Sequence, residues 1–154
     1  MGERCALKIL VLQVRLNSAR LPQKAFLEIQ PNKIFLNAVL EQLAFIPADY
    51  RILACPKEDV PLISKHLKQL EKQGWVLVGG AENDVLARVY QAVLEIVPEK
   101  NRTKDSLVLR ATADNAFVLT EAANKLAEQA LALRSDYACY TALPHGSGLE
   151  YIRL

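Results

Sequence analysis

Short apolar runs alternate along the chain with longer amphipathic segments. The apolar runs are rich in β-prone residues and predict buried strands over residues 7–12, 50–55, 75–78, 107–110 and 136–140. In the longer segments, apolar residues recur every three or four positions. This spacing predicts helices over residues 34–45, 58–73, 84–97 and 120–133. The proline-broken stretch 13–32 and the tail stretch 144–148 are predicted to be loops.

This order of elements predicts one three-layer α/β domain over residues 1–154. Strands that alternate with helices form right-handed βαβ units, so we expect a Rossmann-like, mostly parallel sheet with helices on both faces. Ligands of such sheets bind beyond the carboxyl ends of the strands. The loops that follow the first, third, fourth and fifth strands are therefore where binding groups are expected.

The composition is that of an ordinary globular protein. Hydrophobic residues make up 51% of the 154 residues and charged residues 23%, which are typical values. The formal net charge of +2 disfavours a dedicated nucleic-acid binder. No apolar segment approaches the length of a membrane span, and the N-terminal apolar run does not resemble a signal peptide. We therefore expect a cytoplasmic protein that binds neither nucleic acid nor membrane.

The three cysteines, Cys5, Cys55 and Cys139, are far apart and form no CxxC pair. A disulfide framework or a zinc site is therefore not expected. We expect three reduced and mostly buried thiols.

The loop after the first strand concentrates positive charge among small polar residues. Arg15, Arg20 and Lys24 fall within ten positions, and several cations that arrive from different directions suit a polyphosphate. The alternative is a solvated surface loop with incidental charges. The glycines of a Walker A loop or a dinucleotide fingerprint are missing.

This loop resembles the signature Q-A-R-x-x-S-x-R-L-P-x-K of the cytidylyltransferase family. The family includes the acylneuraminate and deoxyoctulosonate cytidylyltransferases, and the resemblance is strongest to relatives named after spore coat polysaccharide biosynthesis protein F. The matching positions are Gln13, Arg15, Ser18, Arg20, Leu21, Pro22 and Lys24. Residues 80–88 resemble the family's G-x-x-x-D-V-L-x-R, residues 109–114 its R-x-T-x-D, and residues 144–150 its P-R-G-L-D-x-E.

The resemblance implies a nucleotidyltransferase fold and an enzyme that activates a sugar or sugar acid with CTP for surface polysaccharide biosynthesis. By position, Arg15, Lys24 and Asp114 would be catalytic, and Asp114 would hold Mg²⁺ as cofactor. The residues implied to bind the nucleotide are Gln13, Arg15, Asn17, Ser18, Arg20, Lys24, Asp84, Arg88 and Arg110. The residues implied to bind the second substrate are His145, Gly146 and Glu150.

Several of these residues have a purely structural alternative. Asp114 could form an Asx turn after its strand, and Asp84 could cap a helix and pair with Arg88 one turn later. Arg110 and Glu150 could be surface charges.

The sequence also departs from the family pattern. Ala116 replaces a proline, His145 an arginine and Gly148 an aspartate. The chain stops at Leu154, where relatives continue with further sugar-pocket residues and often dimer contacts. The resemblance therefore implies either a truncated chain or a shortened relative, and a homodimer is expected by the same resemblance. A second hypothesis is therefore an inactive nucleotide- or sugar-binding relative. A glycosyltransferase is disfavoured because its D-x-D motif is missing.

Overall fold

The computed structural model describes residues 6–17, 21–67, 71–144 and 147–154. Eight strands are found in these ranges: β1 Lys8–Gln13, β2 Glu28–Gln30, β3 Lys33–Ile34, β4 Tyr50–Pro56, β5 Trp75–Gly80, β6 Leu107–Thr112, β7 Tyr137–Cys139 and β8 Glu150–Arg153. The α-helices in the same ranges are α1 Phe35–Ala44, α2 Val60–His66, α3 Val85–Ile96 and α4 Thr120–Ala132.

Six strands form one sheet in the order β5-β4-β1-β6-β8-β7. Strands β5, β4, β1 and β6 are parallel to one another, whereas β8 is antiparallel to both β6 and β7. The predicted mostly parallel α/β sheet is therefore confirmed. Its carboxyl edge brings Gln13 of β1 directly beside Thr112 of β6.

The central strand β1 is buried on both faces of the sheet. Its four inner residues, 9–12, are fully buried, as expected for a parallel strand covered by helices on both sides. Leu10 and Leu12 belong to the core that includes α1, α2 and α4. Ile9 and Val11 belong to the smaller core beneath α3. The predicted helix layers on both faces are thus confirmed.

Three elements differ from the prediction. The helix expected over residues 58–73 is α-helical over Val60–His66, because Leu67 leaves the helical conformation at φ −112°, ψ 54°. A separate 3₁₀ turn covers Glu71–Gln73. The stretch predicted as a loop contains β2, which pairs with β3 in a hairpin. Its turn places Asn32 at φ 63°, and the Asn32 amide donates to Glu28 at 2.7 Å.

The remaining difference is β8, which the hydrophobic pattern did not predict. This strand lies between β6 and β7, so the predicted fifth strand pairs with β8 rather than with β6. Across the ranges that the structure describes, no helix combines the length and apolarity needed to cross a membrane.

Candidate functional site

A cleft of about 280 Å³ opens at the carboxyl ends of β1 and β6. Its polar lining comes from the last residues of β1 and β6, from the loops that follow these strands and from α3. The polar residues that line it are Gln13, Arg15, Lys24, Arg88, Thr112 and Asp114. Five of the residues predicted to bind or act on a nucleotide are therefore brought together, although they span a hundred positions of sequence.

The loop after β1 is anchored by alternate residues. Val14 and Leu16 are buried, and their amides donate to the Ala54 carbonyl at 3.0 Å and to the Asp59 carboxylate at 2.9 Å. Arg15, between them, is exposed and lines the cleft. Asp59 is a loop-anchoring residue that the sequence did not predict, since its partner is a backbone amide 43 positions away and no motif marks it.

Lys24 and Asp114 form an ion pair across the cleft. Lys24 begins a 3₁₀ turn over Lys24–Phe26, and its Nζ donates to Asp114 Oδ2 at 2.8 Å. Burial raises the pKa of Asp114, but hydrogen bonds with Lys24 and Thr112 outweigh it and hold that pKa below its usual value. Asp114 is therefore a carboxylate at neutral pH.

Arg88 lies beneath the cleft and is 1% exposed. One of its terminal nitrogens donates to the carbonyls of Ala81 and Glu82, and burial lowers the pKa of its guanidinium. Its Nε atom has no partner among the described residues. The guanidinium thus braces the loop between β5 and α3 and lines the cleft.

Asp84 caps helix α3. Its Oδ1 accepts a hydrogen bond from the Ala87 amide at 2.8 Å, which satisfies one of the amides left open at a helix start. The predicted alternative of an Asp84–Arg88 pair is not what the structure shows, because Arg88 bonds to backbone carbonyls. Asp84 therefore has a structural role, and a direct contact with a nucleotide remains a prediction.

Arg110 connects the cleft to a second cavity. Its Nε donates to Gln13 Oε1 at 2.9 Å, and a terminal nitrogen donates to Glu150 Oε2 at 2.6 Å. Because β6 and β8 place Arg110 opposite Glu150, the ion pair follows from strand register. The second cavity measures about 370 Å³, and Thr112 lines both cavities.

Asn17 is exposed in the loop after β1 and is not among the residues that line the two cavities. Ser18, Arg20, His145 and Gly146 lie outside the described residues. Asn115 lines the second cavity, where its side-chain amide donates to the Gly148 carbonyl at 2.7 Å. No motif position predicted that bond.

The described cysteines differ from each other. Cys55 is buried, and desolvation raises the pKa of its thiol to about 12. Cys139 is exposed, so the expectation of burial is wrong for this residue. Its strand β7 is the outermost strand of the sheet. Cys5 lies outside the described residues.

The donor set of the cleft fits Mg²⁺ only together with a phosphate ligand. No three His, Cys, Asp or Glu side chains come together as ligands within the described ranges. Mg²⁺ is commonly held by one or two carboxylates with substrate phosphates and water. Asp114, ionised and 57% exposed in its side chain, has the hard oxygen atoms that this arrangement needs.

A protein family model and several solved structures match this chain. A family model described as cytidylyltransferase matches residues 9–153. A cytidylyltransferase from Leptospira borgpetersenii serovar Hardjo-bovis superposes with a TM-score of 0.78 at 18% identity, over 96% of this chain and 60% of that one. This chain therefore spans about three fifths of that protein's length. No curated protein matches the sequence significantly.

Two further solved structures share the fold. One is a CMP:2-keto-3-deoxy-manno-octonic acid synthetase complexed with CTP, with a TM-score of 0.65 at 11% identity over 96% of this chain and 72% of that one. The other is a 4-diphosphocytidyl-2C-methyl-D-erythritol synthase from Anaerococcus prevotii, with a TM-score of 0.61 at 14% identity over 95% and 71%. At these identities the likeness shows a common fold.

Proposed function

The chain belongs to the cytidylyltransferase family, and from that premise we propose that it activates a sugar or sugar acid with CTP. The products would be a CMP-sugar for surface polysaccharide biosynthesis and pyrophosphate. The observation that carries this proposal is the cleft at the carboxyl edge of the sheet, where Arg15, Lys24 and Asp114 meet above the buried Arg88.

The cleft has the charges that a nucleoside triphosphate requires. The Arg15 guanidinium can donate two hydrogen bonds to phosphate oxygens at once, whereas the Lys24 ammonium acts as a compact positive charge. Arg88 adds a third positive charge that the fold holds in place. Such preorganised charges stabilise the negative charge that develops during phosphoryl transfer.

The reaction is a substitution at the α-phosphorus. A hydroxyl oxygen of the acceptor forms a new bond to that phosphorus, and the bond from the α-phosphorus to the bridging oxygen breaks. Pyrophosphate leaves with the bonding electrons, and the hydroxyl proton passes to solvent. Bound Mg²⁺ would neutralise phosphate charge beside Asp114. Lys24 would exchange its bond with Asp114 for one with a phosphate oxygen.

The second cavity is the natural place for the acceptor. It adjoins the cleft through Thr112 and through the bond between Arg110 and Gln13. Glu150, which the resemblance implies binds the second substrate, is one of the residues that line it. Roles for Asn17, Ser18, Arg20, His145 and Gly146, a cytoplasmic location and a homodimer remain predictions.

The proposal is tested by CTP binding and turnover in matched variants. Arg15→Ala and Lys24→Ala each remove a cleft cation, while Lys100→Ala removes an exposed lysine from a 3₁₀ turn over Glu99–Asn101. We expect CTP with Mg²⁺ to raise the Tm of the wild type and of Lys100→Ala, and to raise that of the cleft variants much less. Unliganded Tm values should be nearly equal, because exposed charges contribute little stability. A cleft variant that unfolds at lower temperature but binds CTP normally would refute these roles.

A second candidate is a relative that binds CTP or a sugar without turnover. Two departures from the family pattern favour it: Ala116 replaces a proline after β6, and Gly148 replaces a carboxylate just before β8. The Asn115 side chain bonds to the Gly148 backbone. Pyrophosphate release with a panel of sugars separates the two candidates, since this one predicts CTP-dependent stabilisation without product.

A further inference from the structure

The second cavity is rich in hydroxyl groups and electrically balanced. Its lining includes Arg110, Thr112, Tyr137, Tyr140, Thr141 and Glu150. Of the described lining residues, Arg110 and Glu150 are the ones that carry a formal charge near neutral pH. Its volume of about 370 Å³ lies in the range of about 300–1,000 Å³ usual for small-molecule sites.

Arg110 and Glu150 form an ion pair, so their charges largely neutralise each other. The Arg110–Glu150 contact is 2.6 Å, and the side chains are 26% and 36% exposed, so the pair is partly removed from solvent. A second Arg110 nitrogen is bonded to Gln13. A carboxylate that entered this cavity would meet a guanidinium shared with Glu150 and would lie close to the Glu150 charge. Burying an anion without an uncommitted cation is costly.

We propose that this cavity selects an uncharged, polyhydroxylated acceptor and discriminates against sugar acids through the Arg110–Glu150 pair. The inference rests on the proposed function and narrows its acceptor from sugars or sugar acids to neutral sugars or polyols. Glu150 is the specificity-determining residue, because it cancels the charge that would otherwise attract a carboxylate.

The remaining polar groups suit hydroxyl recognition. A carboxylate has two oxygens, so Glu150 can accept from an acceptor hydroxyl as well as from Arg110. Tyrosine and threonine hydroxyls can donate or accept. A hydrogen bond with Cys139, together with desolvation and the nearby Glu150, raises the pKa of Tyr137 to about 12. Tyr137 therefore stays a neutral hydroxyl throughout the physiological range.

The test compares aldoses with their own uronic acids, which differ by one carboxylate. The probes are glucose with glucuronate, galactose with galacturonate and mannose with mannuronate, and their binding to the CTP-loaded protein is followed by saturation-transfer NMR. We expect at least one aldose to bind roughly fivefold or more tightly than its uronic acid, the ratio set by one partly exposed charge.

Glu150→Gln then tests the effect of the Glu150 charge alone. It keeps the shape and leaves Arg110 without its carboxylate, so the preference should move towards the uronic acid by roughly fivefold. Glu128→Gln removes an exposed charge from α4 and should leave the preference unchanged. Should Glu150→Gln fail to fold, the wild-type comparison still decides.

The outcomes distinguish a failure of the proposed acceptor preference from a failure of the proposed function. Uronic acids that bind the wild type as well as aldoses do, no binding by any probe, or an unchanged preference in folded Glu150→Gln would each overturn the inference. In those cases the proposed function stands as long as CTP still stabilises the protein. Absence of any CTP effect would instead remove the proposed function itself.

Discussion

Lys24, Arg88 and Arg110 reach the site from three different elements, and each is held by a different kind of acceptor. Lys24 binds a carboxylate on the cleft surface, Arg88 binds two backbone carbonyls, and Arg110 binds a carboxylate and an amide. Arg88 is itself buried, so its bonds to the carbonyls fix it as part of the scaffold. The more exposed Lys24–Asp114 pair is free to exchange partners when an anion arrives.

Asp114→Asn tests the strength of that exchangeable pair. Its side chains are 32% and 57% exposed, so solvent screens the pair and we expect a loss of at most about 1 kcal/mol in the free energy of unfolding at pH 7. The folded-state pKa of Asp114 lies below its usual value. Its contribution is therefore complete above the unfolded pKa of about 3.9 and disappears as the pH falls through the lower folded value.

Urea unfolding of the wild type and Asp114→Asn at pH 7, 5 and 3 checks this. The stability gap should be equal at pH 7 and 5 and smaller at pH 3. A gap that widens on acidification would contradict the sign of the pKa shift.

At the scale of secondary structure, the end of β5 and the start of α3 form one unit beneath the cleft. Gly80 ends β5, and Asp84 caps the helix that carries Arg88. A Cβ atom on Gly80 would lie 2.8 Å from Arg88 Cγ and 3.3 Å from its Cα. Glycine at position 80 therefore allows the buried arginine to pass close to the strand.

Gly80→Ala should consequently push Arg88 and its helix away from the strand. We expect a loss of roughly 1–3 kcal/mol, as is usual for overpacking a buried site, together with weaker CTP binding. Gly148→Ala is the matched control for stability, because a Cβ there meets nothing within 4 Å. Thermal unfolding compares the two, and equal losses would contradict the close approach seen at Gly80.

We expect Asp84 to contribute to stability mainly by capping helix α3. Asp84→Ala should cost about 1 kcal/mol of stability by removing the cap, whereas Asp84→Asn retains a capping oxygen and should cost far less. Chemical denaturation measures both. If Asp84→Asn abolishes CTP binding while remaining as stable as the wild type, Asp84 contacts the nucleotide directly.

The sequence predicted the central elements better than the edges. Strand β1 was recognisable because burial on both faces makes it continuously apolar. Strand β8 was not, since its four residues mix polar and apolar types and gain their order from pairing with β6 and β7. The β2–β3 hairpin was hidden for a similar reason, as β2 is exposed along its length.

The site residues likewise divide into those that the sequence predicted and those whose contacts depend on unpredicted elements. Family resemblance marked Arg15, Lys24, Arg88 and Asp114, and the cleft brings them together. Resemblance did not show that Arg110 would be paired with Glu150, because that contact depends on the register of an unpredicted strand. Nor did it show Asp59 holding the loop after β1.

At the scale of the whole molecule, the sheet places two cavities side by side on one edge. The cleft beside β1 and β6 carries an excess of cations, while the cavity between β6 and β8 is balanced by an internal ion pair. This division suits one polyanionic and one uncharged substrate that must meet at a phosphorus atom. The cleft is therefore the proposed site of the triphosphate.

A crystal structure of the protein with CTP and Mg²⁺ would locate the triphosphate. We expect phosphate oxygens about 3 Å from Lys24 Nζ and from the Arg15 guanidinium, with Asp114 turned from Lys24 towards the metal. Phosphates bound elsewhere on the molecule, or an intact Lys24–Asp114 pair beneath a nucleotide that touches neither cation, would contradict it.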